Sequence, residues 1–236
     1  MANSPIKLTP FYSIAQRLNA QFTEHRGWNI PEVYTTRDAE IDAARRSVVL
    51  ADETANGKLT VEGDRAETIV NAAFDLPALA INMGGAIESG YIYRLRNDLF
   101  FVTTPPEDED RTRKKLTAAT KASGEFVTIT DVTHGRAEIR MVGPASQELL
   151  SKVCSLNFHS SEFPNGAAKQ TSLAKTVQLI IRRDIGELPA FSVIGVRSLG
   201  AYVWDTIVEA GREFGITPIG RVALQVLEER RDEESE

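Results

Sequence analysis

The sequence lacks the features that mark secreted, membrane-spanning and disulfide-bonded proteins. Its single cysteine, Cys154, excludes an intramolecular disulfide. No apolar run approaches the roughly 20 residues that cross a bilayer, and the first residues have neither the basic nor the apolar region of a signal peptide. We therefore expect a cytoplasmic protein without a membrane segment.

Charge and histidine content argue against two further classes. The formal net charge of −6 disfavours nucleic acid as a partner, because phosphate binding depends on lysine and arginine. His25, His134 and His159 lie far apart without the spacing of metal ligands, and no Gly-x-Ser-x-Gly motif or glycine-rich phosphate loop is present. We expect neither a metal site nor a nucleic-acid partner.

Capping residues predict where three of the helices begin and end. Asp64 is the expected cap of the first helix. Thr104 caps the second, with a proline at the first helical position and Gly124 at the end. Ser198 caps the third, which Gly215 ends. Apolar spacing around Cys154, Trp28 and Trp204 places these three side chains in the core.

The order of the predicted elements repeats once along the chain. Asp52 and Asp131 each begin an Asp-x-Thr tripeptide that precedes a turn, a strand, a glycine and a helix, which indicates an internal duplication. Alternation and turn residues predict the following strands: 47–51, 58–62, 91–95, 99–103, 127–130, 137–142, 172–182 and 190–196.

These elements predict an α+β fold built from two tandem ββαββα halves. Their antiparallel sheets and helices are expected to pack around a central crevice, where ligands commonly bind. The predicted division is an N-terminal arm and helix at 1–46, a first half at 47–124, a second half at 125–228 and an acidic tail at 229–236.

The order of short motifs resembles two related families. One is the glycine-cleavage T-protein (aminomethyltransferase) superfamily, whose core fold and folate chemistry the resemblance implies, while no residues remain for its C-terminal barrel. The other is the gamma subunit of heterotetrameric sarcosine oxidase, which shares that fold. The first likeness rests on Thr9-Pro10-Phe11-Tyr12, Gly27-Trp28, Pro31, Tyr34, Glu40 to Arg46, Asp52, Asp131 and Gly143-Pro144; the second rests on Val153 to His159, Phe163 to Gly166, Gln170-Thr171 and Arg197 to Trp204.

The T-protein resemblance implies a folate site that contains Glu88. T-proteins have a Gly-Gly-x-x-Asp-Asp stretch whose first carboxylate lies beside the reactive nitrogen of tetrahydrofolate, and Glu88 follows Gly84-Gly85 at that position. Its negative charge would stabilise a cationic iminium during one-carbon transfer. Tyr91 is assigned to the same folate site. The alternative is a glutamate that simply follows a glycine turn at the start of a strand.

Two later stretches resemble other parts of the T-protein folate site. Glu187 matches the glutamate of a Gly-Glu pair, whereas Asp184 replaces a family tyrosine and Ser192 a later glutamate. A plain hairpin turn is the alternative for this pair. Arg221 is expected to bind a glutamyl carboxylate of the folate.

Two functions follow from these resemblances. The first is tetrahydrofolate-dependent transfer of an aminomethyl or methyl group from a small amine or methyl donor, with Glu88 as the catalytic residue. The second is a non-catalytic, gamma-type subunit of a sarcosine-oxidase-like or demethylating complex. Both are compatible with a homo-oligomer or a partner subunit, since a core that normally packs against a barrel would otherwise expose apolar surface.

Overall fold

The computed structural model describes residues 6–233 of the chain. These residues belong to two compact units that interleave along the sequence. Unit 1 comprises Met1–Thr54, Ala137–Asn165 and Thr171–Glu236, and unit 2 comprises Ala55–Arg136 and Gly166–Gln170. The N-terminal residues on which the signal-peptide argument partly rests, and the last three residues of the predicted tail, lie outside the described part.

The chain alternates strands and helices throughout. The helices are α1 (Tyr12–Arg17), α2 (Arg37–Arg46), α3 (Ala66–Phe74), α4 (Glu109–Ser123), α5 (Ser146–Val153), α6 (Gly200–Gly211) and α7 (Arg221–Glu233). The strands are β1 (Lys7–Leu8), β2 (Gln21–His25), β3 (Trp28–Val33), β4 (Val49–Asp52), β5 (Gly57–Glu62), β6 (Met83–Ile87), β7 (Gly90–Arg96), β8 (Leu99–Thr104), β9 (Thr128–Asp131), β10 (Arg136–Val142), β11 (Ala168–Leu173), β12 (Thr176–Arg182), β13 (Ala190–Val196) and β14 (Thr217–Pro218).

Unit 1 is organised around a mixed sheet in the order β11-β12-β13-β10-β4-β14, with a small sheet in the order β1-β3-β2. Most pairs are antiparallel as predicted, but β14 runs parallel to β4 and β1 parallel to β3. Helices α2 and α7 contribute Ile41 and Leu227 to a core that also contains Val49. Trp28 and Trp204 are 3% and 2% exposed, which confirms that both belong to the core.

Unit 2 is an antiparallel sheet in the order β6-β7-β8-β5-β9, on which α3 and α4 pack. The i, i+3, i+4 spacing of Ala66, Ile69 and Val70 forms one buried stripe of α3. This stripe and Leu116 of α4 meet Leu59 of β5 in the core. Burying each large aliphatic side chain stabilises the unit by roughly 1.5–3 kcal/mol.

The duplicated Asp-x-Thr tripeptides form equivalent turns in the two units. Asp52 Oδ1 accepts a hydrogen bond from Thr54 N at 3.0 Å, and Asp131 Oδ1 accepts one from Thr133 N at 2.9 Å. Each strand that precedes a turn pairs with a strand of the other repeat: β4 with β10, and β9 with β5. Each compact unit therefore combines strands from both repeats. The predicted domain boundaries follow the sequence repeat instead, and they stay a prediction.

The predicted helix starts are wrong in all three cases. Helix α3 begins at Ala66 without a side-chain cap, because the turn before it closes through the Gly63 carbonyl rather than through Asp64. Thr104 stays in strand β8, and α4 begins after the positive φ of Glu107 at +74°. Ser198 lies in a 3-10 turn that precedes α6.

The helix ends agree better with the sequence than the starts do. Gly124 and Gly215 adopt left-handed φ angles of +70° and +66° where their helical segments end, as predicted. The single strand predicted at 172–182 is wrong, because Ala174 and Lys175 form a turn with φ of +50° and +60° between β11 and β12. The predicted tail instead continues α7 through Glu233.

Candidate functional site

Glu88 lies in the turn between β6 and β7 of unit 2, and its side chain is 53% exposed. Arg111 Nη2 donates a hydrogen bond to Glu88 Oε1, and Lys115 Nζ donates one to Oε2 at 3.3 Å. Both cations project from α4, four residues apart and therefore on one face. The bond from Lys115 and the charge of Arg111 hold the pKa of Glu88 below the ordinary 4.5. The carboxylate is ionised at neutral pH.

The Gly-Gly pair before Glu88 has a structural reason of its own. A Cβ at Gly84 would lie 2.2 Å from Cδ1 of Tyr93, so only glycine lets this ring pack across the strand. The Gly84 N–H also donates to the Gly166 carbonyl at 2.9 Å. Gly85 is less restricted, since its Cβ would meet only Leu79 at 3.3 Å. Packing within unit 2 therefore accounts for the first glycine.

Tyr91 lies in the same hairpin as Glu88. Its backbone pairs with Ala86 of β6, and its half-buried ring stacks on Tyr93 with the centroids 6.5 Å apart. The structure thus brings two of the predicted folate residues into one hairpin of unit 2. The role of Tyr91 in binding a folate stays a prediction.

The stretch around Glu187 is a tight hairpin turn in unit 1. Ile185 and Leu188 exchange backbone hydrogen bonds of 3.0 and 2.9 Å, and Gly186 has a φ of +55°. Glu187 is exposed in this turn. This geometry agrees with the plain hairpin alternative, and its role toward folate stays a prediction.

Asp184, which stands where T-proteins have a tyrosine, is occupied by contacts within unit 1. It accepts hydrogen bonds from Arg182 Nε at 3.0 Å and Nη2 at 2.9 Å, and from the Ala190 N–H at 3.1 Å. Ser192, at the position of the later family glutamate, is buried in β13. Asp184 therefore offers no aromatic face to a pterin, and Ser192 offers no carboxylate.

Arg221 is the first residue of α7, in unit 1. Its Nη1 donates to Gln225 Oε1 at 2.8 Å, and its Nη2 lies 3.9 Å from Glu32 Oε1. The side chain is 31% exposed, and its Nε is buried without a hydrogen-bond partner. The structure places Arg221 at the start of α7 and Glu187 in the turn between β12 and β13.

The sequence did not single out a group of charged residues inside unit 1, which we call the buried charge cluster. Its members are Glu53, Glu138, Arg140, Arg183 and Glu228. Arg140 is fully buried, and its Nη2 donates to the Arg183 carbonyl at 2.6 Å. One sequence pattern could have indicated this cluster. In β10, a strand that is buried on both faces, Glu138 and Arg140 alternate with apolar residues.

Glu40 and Tyr34 also have unusual surroundings in unit 1. The Glu40 carboxylate, 3% exposed, accepts backbone N–H bonds from Tyr34 at 2.6 Å, Thr35 at 2.9 Å and Gly220 at 2.8 Å. Burial, followed by the charges of Asp52 and Glu40, raises the pKa of Tyr34 above its ordinary value. The phenol of Tyr34 therefore stays neutral through the physiological range.

Among residues 6–233, no group of three or more His, Cys, Asp and Glu side chains is arranged to hold a metal ion. Within the same span, no helix combines the length and the apolar character required to cross a bilayer. Cys154 is buried, as predicted.

A family model named GCVT N-terminal domain matches residues 11–230. The chain therefore belongs to the GCVT N-terminal domain family, and the resemblance to T-proteins is confirmed. It is 26% identical to the aminomethyltransferase of Halothermothrix orenii, over 94% of this chain and 64% of that protein. It is 27% identical to the sarcosine oxidase subunit alpha of Corynebacterium sp. strain P-1, over 94% of this chain and 26% of that subunit.

Solved structures confirm the α+β, T-protein-like fold. Glycine cleavage system aminomethyltransferase T from Bartonella henselae superposes with a TM-score of 0.81 at 16% identity, over 94% of this chain and 62% of that one. A chain of heterotetrameric sarcosine oxidase from Corynebacterium sp. U-96 gives 0.64 at 20% identity, over 87% and 95%. The chain spans 60 to 64% of the length of two aminomethyltransferases to which it is similar, those of Halothermothrix orenii and Saccharopolyspora erythraea.

Proposed function

We propose that this chain binds a reduced folate and takes part in the transfer of a one-carbon group from a small amine donor. The observation that carries the proposal is the ionised carboxylate of Glu88, at the position where the family has its functional acid. Aminomethyltransferases of this family depend on folate, which supports the choice of cofactor. Bound tetrahydrofolate would supply the nitrogen that accepts the one-carbon group.

The residues of the chain fit this cofactor in part. Glu88 supplies a fixed negative charge that would stabilise a positive charge on a neighbouring nitrogen. Arg221 has the planar guanidinium suited to a glutamyl carboxylate. Asp184 does not fit the family role of its position, since it is bound to Arg182 and has no aromatic surface. Pterin stacking would therefore depend on other residues, and Tyr91 is our choice.

The ion pairs of Glu88 define what must change when a cationic group approaches. Arg111 and Lys115 already neutralise its carboxylate. Because the three side chains are 66%, 45% and 53% exposed, these pairs are weak and can open at small cost. Glu88 would then exchange its contacts with α4 for contacts with the ligand.

Calorimetric titration of tetrahydrofolate into the full chain at high micromolar concentration tests the proposal. We expect saturable binding by the natural protein. Glu88→Gln should weaken it roughly 10- to 100-fold, the range for a lost hydrogen bond to a charged group. Glu24→Gln, at an exposed position of β2, is the matched control and should bind as the natural protein does. No binding by the natural protein would refute the proposal.

A second function, that of a non-catalytic subunit, is favoured by the contacts of Asp184. A position that would contribute to the folate site is used instead to hold the loop between β12 and β13, through Arg182 and Ala190. The similarity to a chain of heterotetrameric sarcosine oxidase over 95% of that chain supports the same idea.

Native purification through a tag on the full chain tests the subunit function. Mass photometry should then detect one complex of fixed stoichiometry that contains a second, identified chain. A 26.0 kDa monomer that binds tetrahydrofolate would contradict the subunit function and leave the first proposal standing.

A further inference from the structure

The buried charge cluster connects α7 to the central strands of unit 1. Glu53 follows β4, and its Oε2 lies 3.7 Å from Arg140 Nε on β10. Arg140 in turn donates to the carbonyl of Arg183, whose Nη2 lies 3.3 Å from Glu228 Oε1 on α7. A series of contacts, one of them through the Arg183 backbone carbonyl, therefore runs from Glu53 to the helix. Glu138 of β10 adds a further carboxylate.

Burial decides the charge state of Glu53. The side chains of Glu53 and Arg140 are 11% and 0% exposed, so water stabilises an ion here only weakly. The carboxylates of Glu228 and Glu138 raise the pKa of Glu53. The guanidinium groups of Arg140 and Arg183 lower it. The loss of hydration has the largest effect on the pKa of Glu53, and the four charges act against one another.

Burial, followed by repulsion from Glu228 and Glu138, raises the pKa of Glu53 from 4.5 to about 7, against the opposing effect of Arg140 and Arg183. Near neutral pH, Glu53 therefore changes between a neutral acid and an anion. As an anion, Glu53 repels Glu228. It also attracts Arg140 and Arg183, whose positive charges would otherwise stabilise Glu228.

We propose that the buried charge cluster is a pH-sensitive latch, in which protonated Glu53 favours the docking of α7 and its deprotonation loosens that helix from the sheet. Contacts of Leu224 and Leu227 with the core still hold α7 in place, so the latch adjusts the docking equilibrium rather than deciding it. The latch does not involve Glu88, but Arg221, which we propose binds the folate glutamyl group, is the first residue of the same helix.

The sign of the effect follows from the raised pKa. Below pH 4.5, the ordinary pKa of a glutamate, Glu53 is protonated whether α7 is docked or released. The latch then stabilises the docked helix to its full extent. As the pH rises through about 7, docked Glu53 loses its proton and the contribution disappears. If release restores the ordinary pKa, the opening equilibrium increases about tenfold between about pH 6 and pH 8.

Two measurements on the full chain test the latch. Carbon-13 NMR of the glutamate carboxyl groups, assigned with Glu53→Gln, gives the titration of Glu53, which we expect near pH 7. Hydrogen exchange, corrected for intrinsic rates, gives the opening of α7 at about pH 6 and pH 8. We expect the tenfold increase in the natural protein and in the control Glu24→Gln, and less than a twofold change in Glu53→Gln.

Several results would overturn the latch. One is titration of Glu53 below about pH 5, near the value of an exposed glutamate. Another is a change in α7 opening of less than twofold in the natural protein, or an undiminished change in Glu53→Gln. If Glu53→Gln does not fold, Glu228→Gln replaces it: removing the largest repulsive charge should lower the pKa of Glu53, and an unchanged titration would refute the latch.

Discussion

Glu40 offers the strongest test of how unit 1 is held together. Its carboxylate is 3% exposed and accepts the backbone N–H groups of Tyr34, Thr35 and Gly220 at 2.6 to 2.9 Å. The first two donors precede α2, and the third precedes α7. One side chain therefore ties together segments 180 positions apart in the sequence.

Glu40→Ala removes both acceptor oxygens and leaves three N–H donors without this partner, one of them buried and two part-buried. Each buried N–H without a partner costs about 1–3 kcal/mol. Since the space vacated by the side chain can admit water, we take the lower limit and expect a loss of about 3 kcal/mol in the free energy of unfolding. Glu40→Gln keeps one acceptor oxygen of the two, so its loss should be smaller.

Urea denaturation followed by tryptophan fluorescence measures this loss, because Trp28 and Trp204 are both buried in unit 1. Glu24→Ala, at an exposed position, is the control and should change stability by no more than about 0.5 kcal/mol. A loss below about 1 kcal/mol in Glu40→Ala would refute the reasoning, since it would mean that the three donors find partners elsewhere.

Three further substitutions have expected outcomes. Trp204→Ala should lower the free energy of unfolding by about 3–5 kcal/mol in the same urea assay, because it empties a site that is 2% exposed. Gly90→Ala should destabilise unit 2, since Gly90 has a φ of +110° and a Cβ would lie 2.0 Å from the Thr103 carbonyl oxygen; loss of hydrogen-exchange protection in β7 and β8 would report it. Lys115→Met should raise the pKa of Glu88 toward 4.5 in an NMR titration, since the hydrogen bond from Lys115 contributes most to its depression.

Patterns that depend on local chemistry predicted much of the fold. Strands β7, β8, β10 and β13 follow the expected ranges closely, because their alternation and turn residues are local signals. Helix starts were predicted poorly. At Thr104, pairing of its strand with β5 takes precedence over its tendency to cap a helix. The turn at Ala174 and Lys175 was missed because neither residue is a glycine, an asparagine or a proline.

The candidate site was predicted less completely than the fold. The sequence identified Glu88, but not that Arg111 and Lys115 of α4 bind it, because contacts between a hairpin and a distant helix leave no local pattern. It also missed Glu53, whose environment is assembled from β10, the end of β12 and α7. Such clusters require the tertiary structure, since their members are distributed over most of the chain.

A crystal structure of the full chain with tetrahydrofolate bound tests the central claim most directly. The account predicts that the Glu88 carboxylate lies within hydrogen-bonding distance of a folate nitrogen and has left at least one of its partners, Arg111 and Lys115. A complex in which folate binds elsewhere and both ion pairs of Glu88 stay intact would contradict it.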